Sequence, residues 1–184
     1  MKVLHFVGSA RERNQVLLNL KQTGCAHCRR VGTLNRHDRI QGNDPAAVNK
    51  QMLRGRRVWC SNRGRRGGCG RTMRIMFACL LPRHTVKARM LSGLLEHLCA
   101  GASIKSAWER CGLPVHLQSV YHLVQRLRER LAAVRSALLS RCPPPDSRHA
   151  DPLRQTAEHL RCAFPQCECP VAAYQYTFQT PIMG

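Results

Sequence analysis

Apolar positions recur at two different periods along the chain. Thr72-Met73-Arg74-Ile75-Met76-Phe77 alternates roughly by two, as a short strand does. Further on, Val86, Met90, Leu94, Leu95 and Leu98 recur at helical spacing and predict a helix over about 84–99, which Gly101 can end. Ser103 to Cys111 reads as a second helix. A break at Gly112-Leu113-Pro114 separates it from a long third helix over about 117–139. In that helix Leu117, Val120, Val124, Leu127, Leu131, Val134 and Leu138 alternate by three and four, a coiled-coil seam. The seam spans only three heptads. In a parallel homodimer it would set Arg130 of one chain near Arg135 of the other, and like charges there oppose pairing. The pattern therefore favours a seam packed within the chain against the helix over 84–99, with homodimerisation as the alternative.

After Arg141, the stretch "CPPPDSRHADP" reads as a linker. Asp151 and Pro152 then make an N-cap and a first helical position, and Leu153, Ala157, Leu160 and Phe164 form an apolar stripe on a short helix. The closing "AAYQYTFQTPIMG" is compatible with a docked strand or a loose end. Four segments follow: an N-terminal strand and helix arm over 1–23, a zinc ribbon with an arginine-rich loop over 24–81, a helical domain over 82–141, and a linker with a helical tail over 142–184. The fold class expected is α+β, mostly α, with small zinc-ribbon β-hairpins ahead of a helix-turn-helix bundle that has one long helix.

The zinc reading rests on the cysteines. "GCAHCRR" places Cys25 and Cys28 three positions apart, and "RVWCSNRGRRGGCGRT" supplies Cys60 and Cys69 about thirty residues on. Zn²⁺ favours four soft or borderline ligands in a tetrahedron, and two cysteine pairs on separate turns beside short strands is the zinc-ribbon arrangement. Gly70 follows the last cysteine, where a knuckle needs positive φ. Trp59 precedes Cys60, which offers an aromatic cover for the metal. The second pair has eight residues between its cysteines where ribbons more often have two. The glycine- and arginine-rich insert from Ser61 to Gly68 is suited to looping out between two ligands. His27 and His37 are spare ligand candidates. Cys162, Cys167 and Cys169 lack a fourth cysteine nearby and make a poor second cluster. No βαβ pattern surrounds Cys25 and Cys28, which disfavours a thioredoxin-type redox pair.

Compartment follows from the same residues. Val3-Leu4-His5-Phe6-Val7 is too short for an export signal, and no apolar run approaches bilayer length. Eleven cysteines without such a signal point to a reducing compartment and a cytoplasmic chain.

Charge narrows the partner. A net charge of +20 on 184 residues is self-repelling and costs stability unless a polyanion neutralises it. No acid occurs between Asp44 and Glu96, while Arg54, Arg56, Arg57, Arg63, Arg65, Arg66, Arg71 and Arg74 crowd around the second cysteine pair. Arginine forks pair with phosphate in a bidentate manner. Two short helices, a glycine turn and a helix opening "LQSVYHLVQRLRER" form a helix-turn-helix pattern. Ala107 and Cys111 would face the core, and Gln118, Ser119, His122 and Arg126 would point outward.

The order CxxC, Cys-Gly knuckle, arginine-rich loop and helix-turn-helix, over about 24–140, resembles the zinc-ribbon and helix-turn-helix regions of insertion-element transposition proteins. It is especially similar to the short first-frame products that bind element ends. The resemblance implies a bacterial protein that binds duplex DNA, a self-repressor or transposition accessory working with a separately encoded transposase. It supports Cys25, Cys28, Cys60 and Cys69 as Zn²⁺ ligands and implies nothing catalytic.

Catalysis is not expected. Strand transfer by two metal ions needs converging carboxylates, and Asp38, Asp44, Glu96, Glu109 and Glu129 fall in unrelated segments. Neither a membrane nor a small-molecule substrate is implied. The competing function is an adaptor whose ribbon binds structured RNA or a protein without sequence-specific DNA readout.

Overall fold

The computed structural model describes residues 3–44, 47–63 and 67–183. The fold is α+β, in two compact units, Met1–Ala78 and Cys79–Gly184.

The first unit is a four-stranded mixed sheet with one helix. Its strands are β1 (Val3–Val7), β2 (Leu34–Asp44), β3 (Ala47–Cys60) and β4 (Thr72–Phe77), in the order β1-β4-β3-β2. β1 runs parallel to β4, and the other neighbours are antiparallel. Between β1 and β2 lie α1 (Ala10–Leu18) and a 3-10 turn at Asn19–Gln22. Ser9 caps α1: its hydroxyl accepts from the Glu12 amide at 3.1 Å, and the Glu12 carboxylate accepts from the Gly8 amide at 2.7 Å. Val7, Leu17, Leu20, Leu34, Val58, Met73 and Ile75 form the core. β3 and β4 approach closely at Gly55, where a Cβ would lie 2.2 Å from the Ile75 carbonyl oxygen. The segment 1–23 thus contributes a strand and a helix to the sheet's own core.

This sheet is larger than the small hairpins expected. β4 falls where its alternation predicts, but β2 and β3 run for 11 and 14 residues. β2 has an apolar residue only at Leu34 and Ile40 and is mostly exposed. A strand held by its backbone ladder, with little to bury, leaves no period-two signal to read.

The second unit is helical: α2 (Ala88–Cys99), α3 (Ile104–Cys111), α4 (Leu117–Leu139), α5 (Pro152–Ala163) and α6 (Pro170–Phe178). α2 starts four residues later than its apolar spacing predicts. The Leu80–Lys87 bridge and the Ala88 amide on the Cys79 carbonyl (2.9 Å) close residues 80–87 into a turn first. That turn still buries Val86. The Ser103 hydroxyl caps α3 by accepting from the Ser106 amide at 3.2 Å, and Gly112 ends it in the left-handed conformation (φ 54°). α4 spans the predicted range.

The seam of α4 is buried within the chain at Val120, Leu123, Val124, Leu127, Val134 and Leu138. Its main partner differs from the one expected: α4 packs chiefly along α5 and then α3, while α2 packs on α3, α5 and α6. The apolar stripe of α5 (Leu153, Ala157, Leu160) takes the seam, and the start of α5 also meets α4. Asp151 accepts from the Leu153 amide (3.0 Å) and pairs with Arg128 of α4 (3.0 Å). The closing segment holds a helix where a strand or a loose end was the expectation, and beyond the helix Ile182 and Met183 are buried. α6 starts at Pro170, buries Tyr174, and stacks Phe178 edge-on against Phe164 at 6.3 Å between ring centroids. Buried Gln175 donates to the Leu80 carbonyl at 3.1 Å. Among the described residues, no helix is long and apolar enough to cross a membrane.

Candidate metal centre and basic surface

Two turns deliver four thiols to one point. The first follows the 3-10 turn: the Cys25 amide donates to the Arg30 carbonyl (3.0 Å) and the Arg29 amide to the Cys25 carbonyl (2.9 Å), with Arg29 at φ 62°. This tight loop also aims the His27 amide at the Cys25 sulfur, 3.4 Å away. The second joins the end of β3 to the start of β4. The Cys60 amide donates to the Arg71 carbonyl and the Gly70 amide to the Cys60 carbonyl, each at 2.9 Å, while the Cys69 amide points at the Cys60 sulfur at 3.3 Å. Gly70 has the positive φ (69°) that the sequence predicts.

The eight-residue spacing is accommodated as a closed loop. The Ser61 amide donates to the Thr33 carbonyl and the Gly68 amide to the Ser61 carbonyl, both at 2.8 Å, so the insert leaves and returns at almost the same place. Arg30 donates to the Gly67 carbonyl and ties the two turns together.

The sulfurs of Cys25, Cys28, Cys60 and Cys69 all lie within 4.8 Å of one another. Cys25 to Cys69 and Cys28 to Cys60 are each 3.7 Å. Four thiolates about 2.3 Å from a central ion stand about 3.8 Å apart, so the spacing fits a tetrahedral metal site. Cys25 and Cys60 are buried and Cys28 and Cys69 half-buried, which closes the site as a structural metal requires. Without an ion the thiols differ. The Arg30 amide holds Cys28 down to about 7, whereas burial pushes Cys25 up to about 11. Among the described residues, this is the one group that brings three or more ligand atoms together; Cys162, Cys167 and Cys169 do not form another.

The neighbouring side chains support the ligands. The hydroxyl of Thr33, a buried residue, lies 3.1 Å from the Cys60 sulfur. Trp59 braces the second turn by donating its indole N–H to the Gly70 carbonyl at 3.2 Å. Neither histidine enters the thiol group: His27 Nδ1 is 3.4 Å from Arg71 Nη1, and His37 pairs with Asp38 at 2.6 Å. Thr33 carried no sequence signal, because it lies five residues beyond one ligand and twenty-seven before the other.

The arginines singled out near the second cysteine pair do not share one surface. Arg54 is buried at 6% exposure, and a Cβ on Gly42 would meet its Cδ at 2.5 Å, so it lies packed across β2. Arg56 and Arg57 are half-buried, and Arg57 pairs with Asp38 at 3.1 Å. Arg63 and Arg71 are exposed beside the metal turn, the Arg63 guanidinium lying 5.7 Å from the Trp59 ring centroid. Arg65 and Arg66 fall outside the described residues. Charge divides unevenly between the units. Met1–Ala78 holds seventeen Lys and Arg against three acids, and Cys79–Gly184 holds thirteen against seven.

At the start of α4, Gln118, Ser119, His122 and Arg126 are all exposed, and Val120 between them is fully buried. Ala107 of α3 is buried and Cys111 half-buried. The turn before α4 is held by the Trp108 indole N–H on the Val115 carbonyl at 2.8 Å. Comparison with protein-family models, with curated proteins and with solved structures finds no match for this chain.

Proposed function

We propose that the chain is a zinc-dependent DNA-binding protein, serving transposition or regulation of a mobile element. The observation that carries the reading is the closed tetrad of Cys25, Cys28, Cys60 and Cys69, set in the unit that holds seventeen of the thirty basic residues. All-thiolate ligation with tetrahedral spacing suits Zn²⁺, which is stable to redox change and fixes the two turns as a structural element. On this reading Met1–Ala78 acts as an enlarged zinc ribbon. The exposed arginines Arg63 and Arg71 beside the metal turns face phosphate.

In the second unit, α3 and α4 act as a helix-turn-helix. The exposed set Gln118, Ser119, His122 and Arg126 lies at the N-terminal end of the second helix, the end that meets base edges in the major groove. The resemblance to transposition proteins supports the role, and the zinc would organise the protein without taking part in chemistry. Selection from random duplexes with the purified zinc-loaded chain tests the reading. Enrichment of one sequence, lost on removal of zinc, is the expected result. Retention of structured RNA with no duplex enriched would favour an RNA-binding adaptor instead.

A further inference from the structure

The register of the sheet collects a different set of arginines from the one the sequence singles out. Alternate positions of β3 put Arg56, Val58 and Cys60 on one face. Leu17 and Leu20 pack in the core with Val58 and Cys60. Beside the C-terminal half of α1, an open groove is lined by Asn14, Leu17, Leu18, Arg36, Arg56 and Arg57. In the β2–β3 ladder Arg39 stands directly opposite Arg56, and Arg36 opposite Val58. Like charges directly opposite each other on paired strands destabilise the pair.

Arg36 donates to the Leu17 carbonyl at 3.4 Å, and Arg13 to Asn14 Oδ1 at 2.9 Å, but neither partner carries a charge. Among the described residues, none of Arg13, Arg36, Arg39 and Arg56 forms an ion pair with a carboxylate. Asp38 is engaged by Arg57 and His37, and Glu12 caps α1. Arg56 Nε is buried without a hydrogen-bond partner. Burial, and then Arg39, Arg13 and Arg36, lower the pKa of Arg56, so its charge is less favourable here than in water. An anion in the groove would supply both the missing acceptor and the missing charge. Phosphate fits best, because its oxygens take paired N–H bonds from several guanidinium forks at once. Leu18, 67% exposed at the lip, suits the sugar edge of a nucleotide chain better than a free ion.

We propose that the groove between α1 and the β2–β3 hairpin binds phosphates of a nucleic-acid backbone, held by Arg36 and Arg56, which line it, and by Arg39, which stands opposite Arg56 at its edge. This rests on the nucleic-acid reading above and assigns it a surface outside the metal turns.

The test uses the full zinc-loaded chain and its Arg36→Gln/Arg39→Gln variant, both positions being exposed. Affinity for a random-sequence duplex and for the selected duplex is measured against salt. The variant should flatten the dependence of log K on log salt by up to about 1.8, at about 0.9 per lost phosphate contact, and equally on both duplexes. Its thermal midpoint without DNA should hold or rise, since a repulsion has been removed. A charge-matched Arg89→Gln/Arg161→Gln variant should keep the slope. Arg36→Lys/Arg39→Lys should also keep it while binding less tightly, because the charge survives and the fork does not. If the wild-type chain holds no nucleic acid at low salt, the functional reading falls and this proposal with it. If the wild type binds and the Gln variant keeps its slope, the groove alone is overturned. A loss confined to the selected duplex, or a Lys variant as flat as the Gln variant, likewise overturns it.

Discussion

The Thr33 hydroxyl lies 3.1 Å from the Cys60 sulfur, within a buried pocket where the Arg30 carbonyl, at 3.3 Å, is its other partner. With Cys60 ionised the sulfur can only accept, so the single hydroxyl hydrogen of Thr33 turns from the Arg30 carbonyl to the sulfur and joins the Cys69 amide as its donor. Groups that orient a metal ligand in this way typically contribute about 10–100-fold to affinity. Thr33→Val, which keeps the shape and deletes the donor, should weaken zinc binding by about that factor in competition with a chromophoric chelator. An unchanged affinity would leave Thr33 only its packing role.

Gly68 is constrained more severely. A Cβ there would lie 2.1 Å from the Ser61 carbonyl oxygen and 2.6 Å from the Cys60 sulfur. Gly68→Ala should therefore displace a ligand and lower zinc content, read by metal analysis, together with the stability of the first unit, since metal binding and folding are coupled. Gly93→Ala makes the contrasting case. It sits inside α2, where its Cβ would rest 3.6 Å from the Cys111 sulfur. It should raise stability by about 0.5–1 kcal/mol and leave zinc untouched. Equal zinc loss in both variants would argue against the close contact at Gly68.

Acid should release the metal in two regimes. In the metal-free chain Cys28 ionises at about 7 and Cys25 at about 11. At pH 8 zinc must displace a proton from Cys25 but finds Cys28 already a thiolate. Below pH 7 Cys28 also carries a proton that zinc must displace. The fall of log affinity with falling pH should therefore steepen by about one proton on crossing 7. Titration calorimetry in buffers of different ionisation enthalpy counts those protons, and a constant proton number from pH 8 to 6 would contradict the assignment of Cys28.

Arg63, Arg65 and Arg66 belong to the insert between the second pair of ligands. Their joint replacement by alanine should weaken binding to all duplexes alike, and flatten the salt dependence by about 0.9 per lost phosphate contact. An unchanged slope would mean that these side chains touch no phosphate.

On the proposed function the start of α4 reads the DNA sequence; there Gln118 is exposed, two residues before the buried Val120 and on the opposite face of the helix. Gln118→Ala should cost about 1–3 kcal/mol on the preferred duplex and little on random DNA. Val120→Pro should abolish recognition by breaking the helix, while zinc stays bound in the other unit. A footprint that survives Val120→Pro would refute the helix-turn-helix assignment.

What the sequence determined by itself was local. Two cysteine pairs, a glycine after Cys69 and the period-three-and-four run from Leu117 to Leu138 are each written within a few turns of backbone. The tetrad, the αL cap at Gly112, the Asp151-Pro152 helix start and the length of α4 all follow from such signals. Tertiary structure decided whatever depends on which distant surface wins. The seam of α4 alone does not distinguish α2 from α5, because both offer leucines at the right spacing; in the fold it packs chiefly along α5. β2 has almost nothing apolar to bury, so only its pairing with β3 reveals it as a strand. That same pairing buries Arg54 and sets Arg39 against Arg56. A run of arginines states how much charge is present, but register and burial decide where it points.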